Sequence, residues 1–394
     1  MDERYGFEGL CIAFLLGNIA GAIILHIISP EHCYAYFHIA AIISAIALIG
    51  TIILKRHHSV ILLLALCLFT IGQTGYISDY ITGPNAKVVI TQPQDNITLP
   101  EKSVQALKVR IQHIGFKNPN TEGLVQALLT GDKTFLDRDI KNAFRKSGAA
   151  HILALSGMHL GVIYLILSKI LLCLGMSPFA KKARSLIIIC CTIYYAIMTG
   201  ASDSIVRATL FIMIRETCKL SDRITTPSRT LLAAITIQLM IKPSALLSPG
   251  FQLSYLAMYG IFTVFPKMES WYDKMTELFS SEEELQHHKS HDMTSTGTIV
   301  RHKETKKREP MRKLWSLMAL SISCQIFTAP VAWYHFHSFP TYFLLTNLIA
   351  MPITSALMVI SVGLIFLPSG MTIIVKIADL LASALIFCLE TIIT

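Results

Sequence analysis

The side chains best suited to chemistry lie where a long apolar run begins: His151, Ser156 and His159. Ser156 and His159 are three residues apart, which places both on one face of a helix. A serine beside a histidine could be a nucleophile with its base, but no acidic third member is nearby in sequence and no nucleophile elbow surrounds Ser156. Ionisable groups at membrane depth usually face a bundle interior or an aqueous path. We therefore expect these three side chains to line a polar path.

A second polar group stands at the start of a later apolar run, where Asp203 and Arg207 are four residues apart. This spacing allows an ion pair, and an unpaired arginine at mid-helix would cost ~2.5 to 3.5 kcal/mol on insertion scales. The pair is either purely structural, or Arg207 is a fixed positive charge beside a path for a polyanion. Gln252, Ser254 and Asn347 can similarly join helices through hydrogen bonds or line the same path.

The segment that precedes His151 predicts a short amphipathic helix. Its apolar face holds Leu136, Ile140, Ala143 and Phe144, and its polar face holds four basic residues, Arg138, Lys141, Arg145 and Lys146. Two functions fit this pattern: the helix lies on anionic lipid at the membrane surface, or its basic face guides the phosphate groups of a nucleic-acid strand.

A cluster of histidines raises the question of a metal site: His287, His288, His291 and His302. Their polar setting without hydrophobic periodicity indicates a solvated loop, so we expect neither a metal nor a cofactor.

Composition restricts the fold class. Hydrophobic residues make up 53% of the 394-residue chain, charged residues only 15%, and the mean hydropathy is +0.55. A soluble domain usually has about 25% charged residues, so a soluble protein is excluded. Several apolar runs reach the ~17 to 25 residues that a membrane-spanning helix needs. The sequence therefore predicts an all-α polytopic membrane protein.

About eleven transmembrane or re-entrant helices are expected. Their predicted bounds are Leu10 to Ser29, Phe37 to Leu54, Val60 to Ile77, Ala149 to Leu174, Ser185 to Thr199, Ser204 to Leu220, Thr230 to Ile241, Phe251 to Phe265, Leu314 to Tyr334, Phe343 to Leu367 and Met371 to Leu389. The run that contains Pro352 and Gly363 is a candidate pair of half-helices, because irregular backbone at membrane depth must be covered by protein or line a cavity.

Basic residues alternate between successive short loops, which predicts the orientation of the chain, because lysine and arginine collect on the cytoplasmic side. With the N-terminus inside, Lys181 and Arg308 are cytoplasmic and Gln112 is periplasmic. Residues 1–77 then form N-terminal transmembrane helices and 78–121 a short periplasmic segment. Residues 122–394 form the main membrane domain, with a cytoplasmic loop at 267–313 whose default state is disorder. A strand pair at Val88–Ile90 and Val109–Ile111 gives the periplasmic segment possible β content.

Four blocks of sequence together resemble one known family. Residues 127–161 read ALLTGDKTFLDRDIKNAFRKSGAAHILALSGMHLG, and the later blocks are GASDSIVRA at 200–208, SPGFQLSYLA at 248–257, and HFH at 335–337 leading into NLIAMP at 347–352. In this order they resemble the membrane domain of the ComEC-type competence proteins, whose usual motif reads roughly GxxHLLAISGLHIG.

The resemblance implies an inner-membrane channel, or channel core, that moves single-stranded DNA from periplasm to cytoplasm and is not an enzyme. Residues 78–121 are too short for the family's OB-fold and form at most a reduced OB-like region. No HxHxDH run of the family's metallo-β-lactamase-like nuclease occurs, so we expect no metal-dependent DNA hydrolysis. A separate nuclease, a DNA receptor and a cytoplasmic helicase are then the expected partners, besides membrane lipids. The alternatives are a small-solute permease and a membrane-embedded hydrolase built around Ser156 and His159.

Overall fold

The computed structural model describes the following residues: 3–27, 42–43, 57–82, 99–175, 177–272, 297–337, 342–367 and 371–393. Within these ranges the chain forms helices, turns and bends, and no residue lies in a strand. The all-α class predicted from the sequence is therefore confirmed for the described chain. Two compact units divide the protein: Met1–Arg110 with Leu155–Tyr255, and Ile111–Ala154 with Leu256–Thr394. We call them the first and the second unit.

The first unit contains eight of the α-helices or parts of them. They are α1 Glu3–Ile27, α2 His57–Thr82, α3 Leu99–Gln112, α7 Gly157–Ile170, α8 Pro178–Met198, α9 Asp203–Leu220, α10 Pro227–Ile241 and the beginning of α11 Pro249–Thr263. Short 3₁₀ helices at Leu171–Leu174 and Pro243–Leu247 follow α7 and α10.

Glycines bring α1 and α2 into close contact. A Cβ on Gly17 would lie 2.0 Å from the Phe69 carbonyl oxygen, and one on Gly72 would lie 2.5 Å from the Phe14 carbonyl oxygen. Only glycine permits this approach of two backbones, which is how apolar helices gain van der Waals contact in lipid.

Local sequence signals explain why α8 and α10 begin where they do. Ser177 Oγ accepts a hydrogen bond from the Ala180 backbone N–H at 3.1 Å, and Thr226 Oγ1 accepts one from the Arg229 backbone N–H at 3.4 Å. Each cap is followed by a proline, whose fixed φ suits the first helical position. Between α8 and α9 the chain reverses through Gly200, which has φ +81°.

The second unit consists of six further α-helices and the end of α11. They are α4 Pro119–Thr130, α5 Arg138–Lys146, α6 Ala150–Leu153, α12 Gly297–Phe336, α13 Phe343–Phe366 and α14 Thr372–Ile393. Helices α13 and α14 pack together, and α4 contacts both of them. Nine consecutive or near-consecutive residues of α4 are buried, from Thr121 to Thr130, so this helix belongs to the core of the unit.

Five helices of the described chain are long and apolar enough to cross a membrane. They cover Phe7–Leu25, Gly157–Leu174, Met311–Phe336, Phe343–Phe366 and Thr372–Ile392. The predicted number of about eleven spans is thus not confirmed, although α2, α8, α9, α10 and α11 coincide with five of the other predicted spans. The predicted span Phe37 to Leu54 lies outside the described residues except for 42–43.

Three local predictions fail. Val109–Ile111 lies in α3, so the predicted strand is wrong, because Val104, Leu107 and Ile111 follow the spacing of a helix face. The predicted partner strand lies outside the described residues. Residues 297–313, predicted as part of a disordered loop, are helical and belong to α12, in keeping with the high helix propensity of their lysines, arginines and glutamates. Finally, α13 is one continuous helix with Pro352 inside, and not a pair of half-helices.

Candidate functional site

Ser156 and His159 cap the N-terminus of α7. The Ser156 backbone N–H donates to His159 Nδ1 at 3.0 Å, and Ser156 Oγ lies 2.9 Å from the same nitrogen. Because Nδ1 accepts a backbone hydrogen bond, its lone pair is already engaged, and the His159 side chain is fully buried. This is the reciprocal arrangement of a helix cap. It argues against the hydrolase, whose base needs an available nitrogen beside the substrate.

Arg207 lies in the second turn of α9 and is half-buried. Its Nη1 donates to the Ser254 carbonyl oxygen of α11. Its Nη2 lies so close to Gly157 of α7 that a Cβ added there would be 2.9 Å away. Gly157 thus leaves room for the guanidinium where three helices meet.

Asp203 begins the same helix and contacts the segment that precedes α11. Its Oδ2 accepts a hydrogen bond from Ser248 Oγ, and a Cβ on Gly250 would lie 3.3 Å from this oxygen. Acidic groups in the first turn of a helix are stabilised by the helix dipole. Asp203 and Arg207, which the sequence suggests as an ion pair, therefore each form a hydrogen bond with the segment 248–254.

The other two polar residues of this region also bond to protein groups. Ser254 Oγ lies 3.2 Å from Ser204 Oγ, and Gln252 Nε2 donates to the Leu246 carbonyl oxygen at 3.0 Å. Both contacts are hydrogen bonds between segments of the first unit.

These contacts bring together three of the sequence blocks that carry the family resemblance. Gly157 belongs to the block ending at 161, Arg207 to the block 200–208, and Ser254 to the block 248–257. Six of the eight predicted path residues therefore share the first unit: Ser156, His159, Asp203, Arg207, Gln252 and Ser254. We call the group formed by Gly157, Asp203, Arg207, Ser248 and Ser254 the Arg207 junction.

The remaining two predicted path residues lie in the second unit. His151 is exposed in the short helix α6, and its Nδ1 lies 3.1 Å from the Gly148 carbonyl oxygen. Asn347 lies in the second turn of α13, and its Oδ1 is buried without a hydrogen-bond partner among the described residues.

The predicted amphipathic helix is present as α5, and its apolar face is covered by protein. Ile140, Ala143 and Phe144 are buried, and α5 packs against α14 and α6. On the other face Arg138, Arg145 and Lys146 are exposed, and Lys141 is half-exposed. An interfacial helix inserts its apolar face into the bilayer surface. In α5 this face is covered by protein and is not available to lipid.

Lys133 adds a further cation to this basic face, and the periodicity of the helix does not predict it. Desolvation lowers the pKa of the Lys133 ammonium, and the charge of the neighbouring Lys141 lowers it further. Two like charges this close would bind an anion favourably. Asp137 and Asp139 at the start of α5 reduce the net charge there, so the positive charge is greatest toward Arg145 and Lys146.

A second polar cluster in the first unit was also missed. Glu216 of α9 is 1% exposed and accepts hydrogen bonds from Tyr164 Oη at 2.8 Å, Ser185 Oγ at 2.8 Å and Lys219 Nζ at 2.6 Å. Lys219 Nζ also donates to Tyr164 Oη at 3.1 Å. We call these four residues the Glu216 cluster, which joins α7, α8 and α9. An acidic residue inside an apolar run was the available sequence signal, but its partners are 31 and 52 residues away in the chain.

The comparison with known proteins identifies the relatives of this chain. The competence protein family matches residues 128–394, which include the Arg207 junction, the Glu216 cluster and the basic helix α5. The chain belongs to the competence protein family. Within this family it is similar to the ComE operon protein 3 of Bacillus subtilis (strain 168), with 28% identity over 171 residues. This region is 42% of the present chain and 22% of the Bacillus protein, so the chain covers less than a quarter of that relative. No solved structure matches the chain.

The match confirms the resemblance to ComEC-type competence proteins that the four sequence blocks predicted. Together with the apolar helices, it also supports a membrane protein. Among the described residues, no group of three or more histidine, cysteine or acidic side chains could hold a metal ion.

Proposed function

We propose that this competence-family protein is a multi-pass protein of the bacterial inner membrane that conducts single-stranded DNA from periplasm to cytoplasm. The Arg207 junction is the observation on which the proposal mainly depends. It holds the half-buried Arg207 guanidinium near the Asp203 carboxylate and two serines in the membrane domain, where the cost of an ionised side chain favours a functional position. One fixed charge attracts phosphate, and a single charge still allows the strand to leave.

Contacts within the first unit support the predicted crossings of the membrane. Arg229, in a predicted cytoplasmic loop, contacts Glu8 near the predicted cytoplasmic N-terminus at 3.5 Å. At the opposite predicted side, Asp79 Oδ2 accepts a hydrogen bond from the Ser244 backbone N–H at 2.8 Å. Both contacts join segments that the distribution of basic loops places on the same side of the membrane.

The basic face of α5 is a further part of this proposal. Its apolar face already packs against protein, so its cations are available for phosphate groups in place of a lipid surface. Arg138, Lys141, Arg145 and Lys146 then guide the strand, and Lys133 adds a fifth cation. Phe135, which is 60% exposed, offers an aromatic surface beside them on which a base can stack.

The proposed protein has no catalytic role of its own. The Ser156–His159 cap lacks an available base, which counts against a hydrolase. The extended basic face of α5 suits a polyanion better than a small solute, which counts against a small-solute permease. A separate nuclease, a DNA receptor and a cytoplasmic helicase would supply the remaining steps of uptake.

The test is a charge reversal in a strain that depends on this protein for transformation. Arg207→Glu should abolish uptake of labelled DNA while the amount of protein in the membrane stays near normal, because a fixed anion would repel the phosphate groups. Lys289→Glu, in the predicted cytoplasmic loop, is the matched charge reversal and should change uptake little. Normal uptake by the Arg207→Glu protein, with its insertion confirmed, would remove Arg207 from the path.

A further inference from the structure

Helix α13 carries three polar residues at intervals of seven: Asn347, Thr354 and Ser361. Seven residues are nearly two helical turns, so all three lie on one face, and they extend over about 21 Å along the axis. The helix is a candidate membrane span with a mean hydropathy of 2.3. A polar stripe of this length therefore covers much of the thickness of a bilayer core.

Each residue of the stripe has a buried oxygen without a hydrogen-bond partner among the described residues. The atoms are Asn347 Oδ1, Thr354 Oγ1 and Ser361 Oγ. Thr354 is 0% and Ser361 1% exposed. The helix itself does not prevent hydroxyl bonding, because Ser355 Oγ donates to the Met351 carbonyl oxygen at 2.8 Å. The unbonded hydroxyls are thus specific to the buried face.

Helix α4, which packs against α13, has the same property. Thr121 Oγ1 and Gln126 Oε1 are buried without partners among the described residues, although Gln126 Nε2 donates to Glu122 Oε1 at 3.2 Å. In addition, Pro352 has no N–H with which to bond the Leu348 carbonyl oxygen.

Buried polar groups are almost always hydrogen-bonded in folded proteins, and lipid offers them no alternative partner. A stripe of unbonded groups along a membrane span therefore indicates a face whose polar partners are not among the described residues.

We infer that the stripe formed by Asn347, Thr354 and Ser361 lines the DNA path, with its hydroxyl and amide groups bonding to the sugar–phosphate strand. This inference rests on the proposed function. Neutral donors suit the task, because conduction requires contacts that form and break easily. In the present structure the stripe is covered within the second unit, so passage of the strand requires this face of α13 to open.

Cysteine modification tests the inference. The nine native cysteines are replaced, and Asn347→Cys, Thr354→Cys, Ser361→Cys and the control Ser355→Cys are introduced singly. The proteins are placed in vesicles and treated with an anionic, membrane-impermeant methanethiosulfonate. Because a hydrated thiolate is the nucleophile that attacks the reagent and displaces its sulfinate, we expect modification at 354 to be about tenfold faster than at 355. Oligo(dT) should slow modification at 347, 354 and 361, and modification should block DNA uptake in cells.

The control separates this inference from the proposed function. Equal modification rates at 354 and 355, or uptake that is unaffected by modification of 354, would overturn the role of the stripe and leave the requirement for Arg207 untouched. Normal DNA uptake by a strain that lacks the protein would instead overturn the proposed function.

Discussion

Helix α9 carries two polar groups that differ in burial and in the segments to which they bond. Toward its C-terminus, the Glu216 carboxylate is buried and accepts three hydrogen bonds, one of them from the Lys219 ammonium. Near its N-terminus, Arg207 is only half-buried and donates to the carbonyl oxygen of Ser254. This contact joins the guanidinium to α11.

The difference separates a structural role from a functional one. A carboxylate with a cation and two hydroxyls has its bonding capacity used within the protein, so the Glu216 cluster fixes three helices against one another. The guanidinium of Arg207 is only half-buried, so an anion can approach it. Changes at Glu216 should therefore alter stability, and changes at Arg207 should alter uptake.

The largest effect is expected from Glu216→Ala. The change leaves Tyr164, Ser185 and Lys219 without their shared acceptor, which should lower the free energy of unfolding by about 3 kcal/mol. Thermal unfolding in detergent and the amount of protein in membranes would both report the loss. Glu216→Gln, which keeps the side-chain volume and one acceptor, should lose less. If the Glu216→Ala protein were as stable as the parent protein, the Glu216 cluster would not stabilise the packing of α7, α8 and α9.

An intermediate effect on uptake is expected from Gly157→Ala. The added methyl group would lie 2.9 Å from Arg207 Nη2, so the guanidinium must move without any change in charge. We expect DNA uptake to fall about tenfold, since a shift of a positioned group by about 1 Å can have effects of this size or larger.

Gly161→Ala is the matched control for this change. Gly161 lies one turn further along the same helix and has no atom within 4 Å of an added Cβ. It should keep normal uptake and normal stability. Equal losses of uptake in both variants would mean that α7 tolerates no added methyl group at either position. The displaced Arg207 guanidinium would then not be the cause of the loss.

The smallest effect is expected from Tyr164→Phe. Removing the hydroxyl takes one of three donors from Glu216, which should reduce the free energy of unfolding by about 1 kcal/mol and leave uptake unchanged. Ser185→Ala should behave in the same way. A strong uptake defect in a stable Tyr164→Phe protein would contradict the division of roles between the two groups.

The sequence predicted those parts of the fold that local patterns determine. The amphipathic helix α5 and the end of α10 before Pro243 follow from periodicity and from proline, and both are present. The region Val109–Ile111 was misread because three alternating residues fit a strand and a helix equally well.

The contacts of the site depend on which helices become neighbours. The spacing of residues along the sequence does not predict this. The residue type alone indicates Arg207 as a candidate functional residue. Its contacts, however, are with Gly157, about 50 residues earlier in the chain, and with Ser254, about 50 residues later. The Glu216 cluster could not be predicted for the same reason, because two of its three donors, Tyr164 and Ser185, come from other helices. Asn347 was predicted as a path residue, whereas Thr354 and Ser361 stand out only once their burial is known.

The close contact of α1 with α2 has a consequence for biosynthesis. The first unit is completed only at Tyr255, because its second part, Leu155–Tyr255, follows residues 111–154 of the second unit. At a synthesis rate of about 5–20 residues per second, the first two helices are made on the order of ten seconds before their later partners in the unit. The glycine contacts at Gly17 and Gly72 allow the two helices to form a stable pair during this interval. We therefore expect a larger residue at either position to leave the nascent protein open to quality-control proteases until the unit is complete.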